Sequence, residues 1–278
     1  MNIKAGNISI NAEIDESLLG KGLIPLLFLH GFTGSALEWK IFFDKIDNRF
    51  LPFSIDLIGH GLSDAPESME HYSARAIAEQ IDAVFNRLNF NKVVLCGYSM
   101  GGRAALSYFS YFPEKIAGLI LESSTAGIEE TQLREDRIKS DELMARKIEV
   151  EGVEKFGSYW VNLPMFSGLK SLPADEYQKI LKTRMNNNQT GLINSLKGFG
   201  TGSMPVLWDR LRDINVPALL ITGEFDDKFT QINERMKDKI LKVEHHIIRD
   251  CGHNTHLQKP EVFIKLVNNF LTSNFIRV

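Results

Sequence analysis

Three segments of this chain carry side chains that could do nucleophile or base chemistry together. "GYSMG" (Gly97–Gly101) sets Ser99 between two glycines that allow a sharp turn. A serine hydroxyl is a poor nucleophile or base until a histidine takes its proton, and that histidine needs a carboxylate to orient it. "LLITGEFDDKF" supplies Asp226 and Asp227, and "IIRDCGHNTH" supplies His253 behind a turn-permitting glycine. Asp226, three residues after Gly223, is the preferred acid, with Asp227 left open. Charge developing on a substrate oxygen needs two backbone N–H donors. Met100, directly after the serine, is expected to give one, and Phe32, in the loop after "LLFLHG", the other. His30 in that loop reads as a turn-shaping residue, His245 and His246 as structural strand residues, and His256 as a surface or lid contact.

These groups need elements to aim them. "IPLLFLHGF" and "FLPFSIDLIGHG" are short apolar runs ending at glycine, as fully buried strands do. "SARAIAEQIDAVFNRL" is apolar at helical spacing behind a Ser73 cap. "NKVVLCGYS" predicts a strand leading into the serine, "MGGRAALSYFSYF" a helix leaving it and ending before Pro113, and "IAGLILESS" another strand. From about residue 127 to 205 the pattern becomes charge-rich and helical, with breaks expected at Gly152, Pro164, Pro173 and Gly191. Alternation then resumes with strand "PALLITGEFDD", a helix to about Ile240, strand "VEHHIIRDCGH" and helix "PEVFIKLVNNFL", which opens at Pro260. Strands alternating with helices predict an α/β fold with a mostly parallel sheet covered on both faces. Residues 1–126 and 206–278 are expected to form its core, and 127–205 a helical lid that keeps water from the chemistry beneath.

Composition narrows the function. The 278 residues carry a net charge of −3, so no broad basic surface for nucleic acid is expected. Anion recognition would come from a few placed arginines. Two cysteines, Cys96 and Cys251, without zinc-type spacing, predict neither a disulfide framework nor a metal site. The polar N-terminus is unlike a signal peptide, and no apolar run reaches the roughly 18 residues of a membrane span. A cytoplasmic enzyme working as a monomer on a small molecule is the expectation.

With elbow, acid and histidine in this order, the chain resembles an α/β-hydrolase throughout its length. Within that superfamily, "LHGFTGSALEW", "GHGLSDAP", "GYSMGGRAAL", "REDRIKSDE", "YWVNLPMF", "TRMNNNQTGL", "GEFDDKF" and "CGHNTHLQKPE" are similar to the 2-succinyl-6-hydroxy-2,4-cyclohexadiene-1-carboxylate synthases of menaquinone biosynthesis. The GGR after the elbow, the arginine-bearing lid segments and the NNN run are the more specific of these. Ile58 departs from the family, which usually has proline before "GHG". The resemblance implies a lyase: a base removes a proton beside the succinyl ketone and pyruvate leaves by a 2,5-elimination, without metal or organic cofactor. Serine or histidine could take that proton. The competing readings are a serine hydrolase, either an esterase/thioesterase or a C–C bond hydrolase acting on an anionic substrate, and a non-catalytic binding relative.

Arg103 lies four residues after Ser99, on the same helix face, and its side chain leans back toward the serine. A structural ion pair is the bland explanation. A polycarboxylate substrate gives this cation a purpose. By resemblance, Arg137 and Arg184 match the family's lid arginines for substrate carboxylates and Trp160 its pocket tryptophan, with Arg134 an alternative to Arg137. Tyr98, beside the serine, is expected to line the pocket.

Overall fold

A computed structural model describes residues 1–276. Eight strands form one sheet: β1 (Asn2–Ala5), β2 (Ile8–Ile14), β3 (Ile24–Leu29), β4 (Phe50–Ile55), β5 (Val93–Tyr98), β6 (Ile116–Glu122), β7 (Ala218–Gly223) and β8 (Val243–Ile248). Their spatial order is β1-β2-β4-β3-β5-β6-β7-β8. β1 and β2 pair antiparallel and β2 runs antiparallel to β4; all other pairings are parallel. The alternating N-terminus thus forms an antiparallel hairpin on the edge of the parallel sheet.

The central strands read as unbroken apolar runs because both faces are buried. Leu27 and Leu29 of β3, Leu95 of β5, Leu121 of β6 and Leu220 of β7 join one core. Their neighbours Leu26, Phe28, Cys96, Ile120 and Ile221 join the other. Successive strand side chains point to opposite faces, so covering both faces requires apolar residues at every position. Helices α1 (Ala74–Arg87) and α2 (Met100–Tyr111) cover the first face, and α8 (Pro260–Phe275) with the 3-10 segment Ala36–Lys45 covers the second. Ser73 caps α1 by accepting from Ala76 N at 3.1 Å, and Pro260 occupies the first turn of α8.

The apolar run after Phe50 stays a strand only to Ile55. Asp56 then takes over as a loop anchor: its buried carboxylate accepts from Ala36 N at 2.6 Å, Leu62 N at 2.9 Å and Asn11 Nδ2 at 2.9 Å. Between β6 and β7 lie α3 (Thr131–Val161), the 3-10 segment Pro164–Ser171, α4 (Ala174–Met185) and α5 (Gln189–Phe199). α3 kinks at Gly152, where φ is 80°, and Pro173 precedes α4. Gly191 is a correction to the expected breaks: it sits inside α5, where its missing Cβ lets the helix touch the backbone of Gly59. Helices α6 (Asp227–Lys237) and α7 (Thr255–Gln258) follow β7 and β8 and carry the loops that matter below.

Candidate active site

β5 delivers Ser99 into a turn so tight that its φ is 51° and its ψ −105°, before α2 begins at Met100. A non-glycine residue held there carries strain on the order of 1–3 kcal/mol, sustained by its surroundings. The two flanking glycines make the turn possible. A Cβ on Gly101 would stand 2.1 Å from Leu29 O, and one on Gly97 would stand 2.4 Å from Gly101 O.

The turn presents Ser99 Oγ to His253 Nε2 at 3.1 Å, and His253 Nδ1 meets Asp226 Oδ2 at 2.8 Å. Asp226 accepts from His253 Nδ1–H, which leaves Nε2 facing the serine oxygen. Asp226 and His253 are both buried. Asp227 opens α6 instead and is exposed, so of the two acids Asp226 is the one brought to the histidine. Phe229 and Tyr98 pack on the His253 ring, with centroids at 4.6 Å and 5.4 Å.

Ser99 opens into a cavity of about 220 Å³. Phe32, Met100, Tyr98, Trp160, Arg103 and Arg137 all line it, alongside Phe166 and Phe229. Lys228 lines it too and was not singled out from sequence, although its place two residues after Asp226 could have marked it. Asp226 is the single carboxylate among the described lining residues, against three cations.

Arg103 is 8% exposed. It donates from Nη1 to Phe199 O, and its guanidinium stands 5.0 Å over the Phe199 ring. Among the described residues no carboxylate pairs with it directly. Burial pushes its pKa down to about 9, with Arg137 adding to the push and Asp141 opposing it. The bland ion-pair explanation therefore lacks its partner. Arg137 donates from Nε to Asp141 Oδ1 at 2.8 Å, one turn along α3, and still reaches the cavity wall. Arg134 bonds the carbonyls of Gly202 and Met204 and is structural. Burial also lowers the pKa of Lys228, Arg137 lowers it further, and Asp226 opposes both.

Arg184 requires a correction. It does not line the main cavity; it pairs with Glu38, the two side chains being 5% and 7% exposed, and donates to Thr33 O at 3.2 Å. Glu38 comes from the 3-10 segment after β3, 146 residues away in the chain. No local pattern could have signalled that pairing.

Two histidines also differ from expectation or sharpen it. His256 is neither a surface nor a lid contact: it is buried, its Nδ1 faces both oxygens of Glu122, and its ring stacks on Trp39 at 4.4 Å. Glu122 also accepts from Thr255 Oγ1 at 2.7 Å and from His256 N at 3.0 Å, clamping the turn that follows His253. His30 shapes its turn as expected: Nε2 accepts from Leu57 N at 3.0 Å, so Nδ1 carries the proton toward Gly31 O at 2.8 Å.

A parallel sheet, a serine elbow and a Ser–His–Asp chain at its C-terminal edge define an α/β-hydrolase-fold protein, and residues 24–260 match the family model described as alpha/beta hydrolase fold. A Bacillus subtilis (strain 168) protein named "Putative 2-succinyl-6-hydroxy-2,4-cyclohexadiene-1-carboxylate synthase" is 42% identical over 247 residues, 88% of this chain and 89% of that relative. The 2-succinyl-6-hydroxy-2,4-cyclohexadiene-1-carboxylate synthase of Citrobacter koseri is 31% identical over 241 residues, 84% of this chain and 88% of the relative. The solved structure titled "Structure of MenH from S. aureus" aligns with a TM-score of 0.87 at 30% identity, covering 95% of this chain and 98% of that one. The chain belongs to the 2-succinyl-6-hydroxy-2,4-cyclohexadiene-1-carboxylate synthase family within the alpha/beta hydrolase fold.

Proposed function

We propose that this chain is the lyase of menaquinone biosynthesis that converts 2-succinyl-5-enolpyruvyl-6-hydroxy-3-cyclohexene-1-carboxylate to 2-succinyl-6-hydroxy-2,4-cyclohexadiene-1-carboxylate and pyruvate. The observation that carries the reading is the cavity itself: the triad serine, Ser99, opening onto three cations, Arg103, Arg137 and Lys228, with no free carboxylate opposite them among the described lining residues. That lining suits a tricarboxylate.

The Ser99–His253 pair removes the ring proton beside the succinyl ketone, and the proton ends on His253 Nε2 whichever member meets the carbon. Asp226 orients the ring and offsets the imidazolium charge. The ketone oxygen takes up negative charge, which the backbone N–H groups of Phe32 and Met100 stabilise. The electron pair then forms the new ring double bond beside the succinyl carbon. The existing double bond shifts by one position, and the C–O bond to enolpyruvate breaks. The departing enolpyruvate recovers a proton at carbon to become pyruvate, so atoms and charge balance. No acyl-enzyme is required.

The helices of residues 127–205 act in this reading as a lid that excludes water and contributes Arg137 and Trp160. The reading places the enzyme in the cytoplasm as a monomer. The test is to supply the enolpyruvyl substrate and follow pyruvate with a coupled reductase while recording diene absorbance. Equal amounts of the two products support the lyase; rapid hydrolysis of anionic esters without pyruvate would establish the serine-hydrolase alternative.

A further inference from the structure

Arg184 and Glu38 form a buried pair that the proposed chemistry does not use, and their surroundings indicate what they do. The Thr33 carbonyl, one residue beyond the proposed oxyanion donor Phe32, accepts from Arg184 Nη1 at 3.2 Å and from Asn187 Nδ2 at 2.8 Å. Thr33 itself sits at φ 67°, a left-handed conformation that a threonine holds only under external constraint. Its hydroxyl donates back to Phe32 O at 2.6 Å. The two external donors come from the last turn of α4 and from the loop just after it, in the segment proposed as the lid.

We infer that Arg184 is a positioning residue: with Glu38 it latches the lid to the oxyanion loop and sets the Phe32 peptide. The inference rests on the lyase reading for its effect on turnover. A substrate carboxylate would have to displace Glu38 from Arg184 and leave a buried carboxylate without its counter-charge, which costs more than the new pair returns. Phe32, Tyr98 and Trp160 line both the main cavity and the small one, about 10 Å³, that Arg184 borders. The arginine therefore lies behind the wall that the substrate meets.

The discriminating residue is Glu38, which cannot itself bind an anionic substrate. Loosening the loop, as opposed to deleting a donor, should lower kcat about 10- to 100-fold in Glu38→Gln and in Arg184→Gln, with KM nearly unchanged. The double variant should be no worse than either single one. Arg184→Lys, which keeps the charge but not the fork, should fall between. The rate at which phenylmethylsulfonyl fluoride, a neutral probe, modifies Ser99 should slow in parallel, because it depends on the same loop and on no substrate carboxylate. Asn187→Ala, which removes one Thr33 donor and no buried charge, should show the same signature more weakly and serves if the charge variants do not fold. The latch is overturned if Glu38→Gln keeps wild-type kcat and sulfonylation while Arg184→Gln raises KM. Absence of pyruvate from the wild-type enzyme would sink the lyase reading, and the sulfonylation series would still decide the latch.

Discussion

His256 Nδ1 lies 2.9 and 2.8 Å from the two oxygens of Glu122, three residues beyond the triad histidine, and neither side chain is exposed. This second histidine–carboxylate pair runs parallel to Asp226–His253, and the same local turn serves both. Tyr98 joins it, its ring 4.8 Å from that of His256 and its hydroxyl accepting from Asn254 Nδ2 at 2.7 Å. The pair therefore braces the floor of the site without touching its cavity. Glu122→Gln should lower the unfolding free energy by about 3 kcal/mol, the scale for breaking a buried pair. It should reduce kcat more than it changes KM. Denaturant unfolding and steady-state kinetics check this, and wild-type stability in the variant would remove the bracing role.

The triad should behave as one unit. Ser99→Ala and His253→Ala should each cost orders of magnitude in pyruvate release, and the double variant little more than either alone. Alanine keeps the Cβ and therefore the strained turn, so Ser99→Ala should melt close to the wild type. Substantial pyruvate release by folded Ser99→Ala would take the serine out of the mechanism.

Arg103 should recognise a substrate carboxylate. A charge-assisted hydrogen bond contributes about 1.5–3 kcal/mol, so Arg103→Ala should lower kcat/KM roughly 10- to 150-fold. Arg103→Lys should recover only part of this, having no planar fork. Modification of Ser99 by a neutral sulfonyl fluoride should proceed at close to the wild-type rate in both. Equal losses on the anionic substrate and the neutral probe would instead mark Arg103 as a structural residue.

Lys228 should give the site an alkaline limit. Burial first, and Arg137 second, hold its pKa below the usual lysine value. A lowered value means that the charge is lost earlier as pH rises, so KM for the polyanion should increase on the alkaline side before the other lysines titrate. Lys228→Met should raise KM at neutral pH and abolish that limb, and Lys228→Arg should move the limb upward. An unchanged alkaline KM profile in Lys228→Met would exclude the lysine from binding.

Two neighbouring carboxylates show where local reading stops. Asp226 and Asp227 follow the same strand, and both suit the spacing of an acid after β7. Only the placement of β8's loop beside β7 brings His253 Nδ1 to Asp226, while the start of α6 turns Asp227 outward. Arg134 and Arg137 divide in the same way: one turn of α3 separates an arginine that ties down the Gly202 and Met204 carbonyls from one that reaches the cavity.

By itself, the sequence determined the doubly covered parallel sheet, the serine elbow and the chain order of serine, acid and histidine. Those features are written in short-range signals: apolar runs long enough for one strand, glycines where Cβ atoms would collide, and caps and prolines at helix ends. Only the tertiary structure decided that Arg184 faces Glu38 and not the cavity, that His256 is locked onto Glu122, and that Lys228 joins Arg103 and Arg137. Those choices join residues 146 and 134 positions apart in the first two cases. They depend on which charges packing buries together, and a buried charge takes whichever partner the fold places within reach.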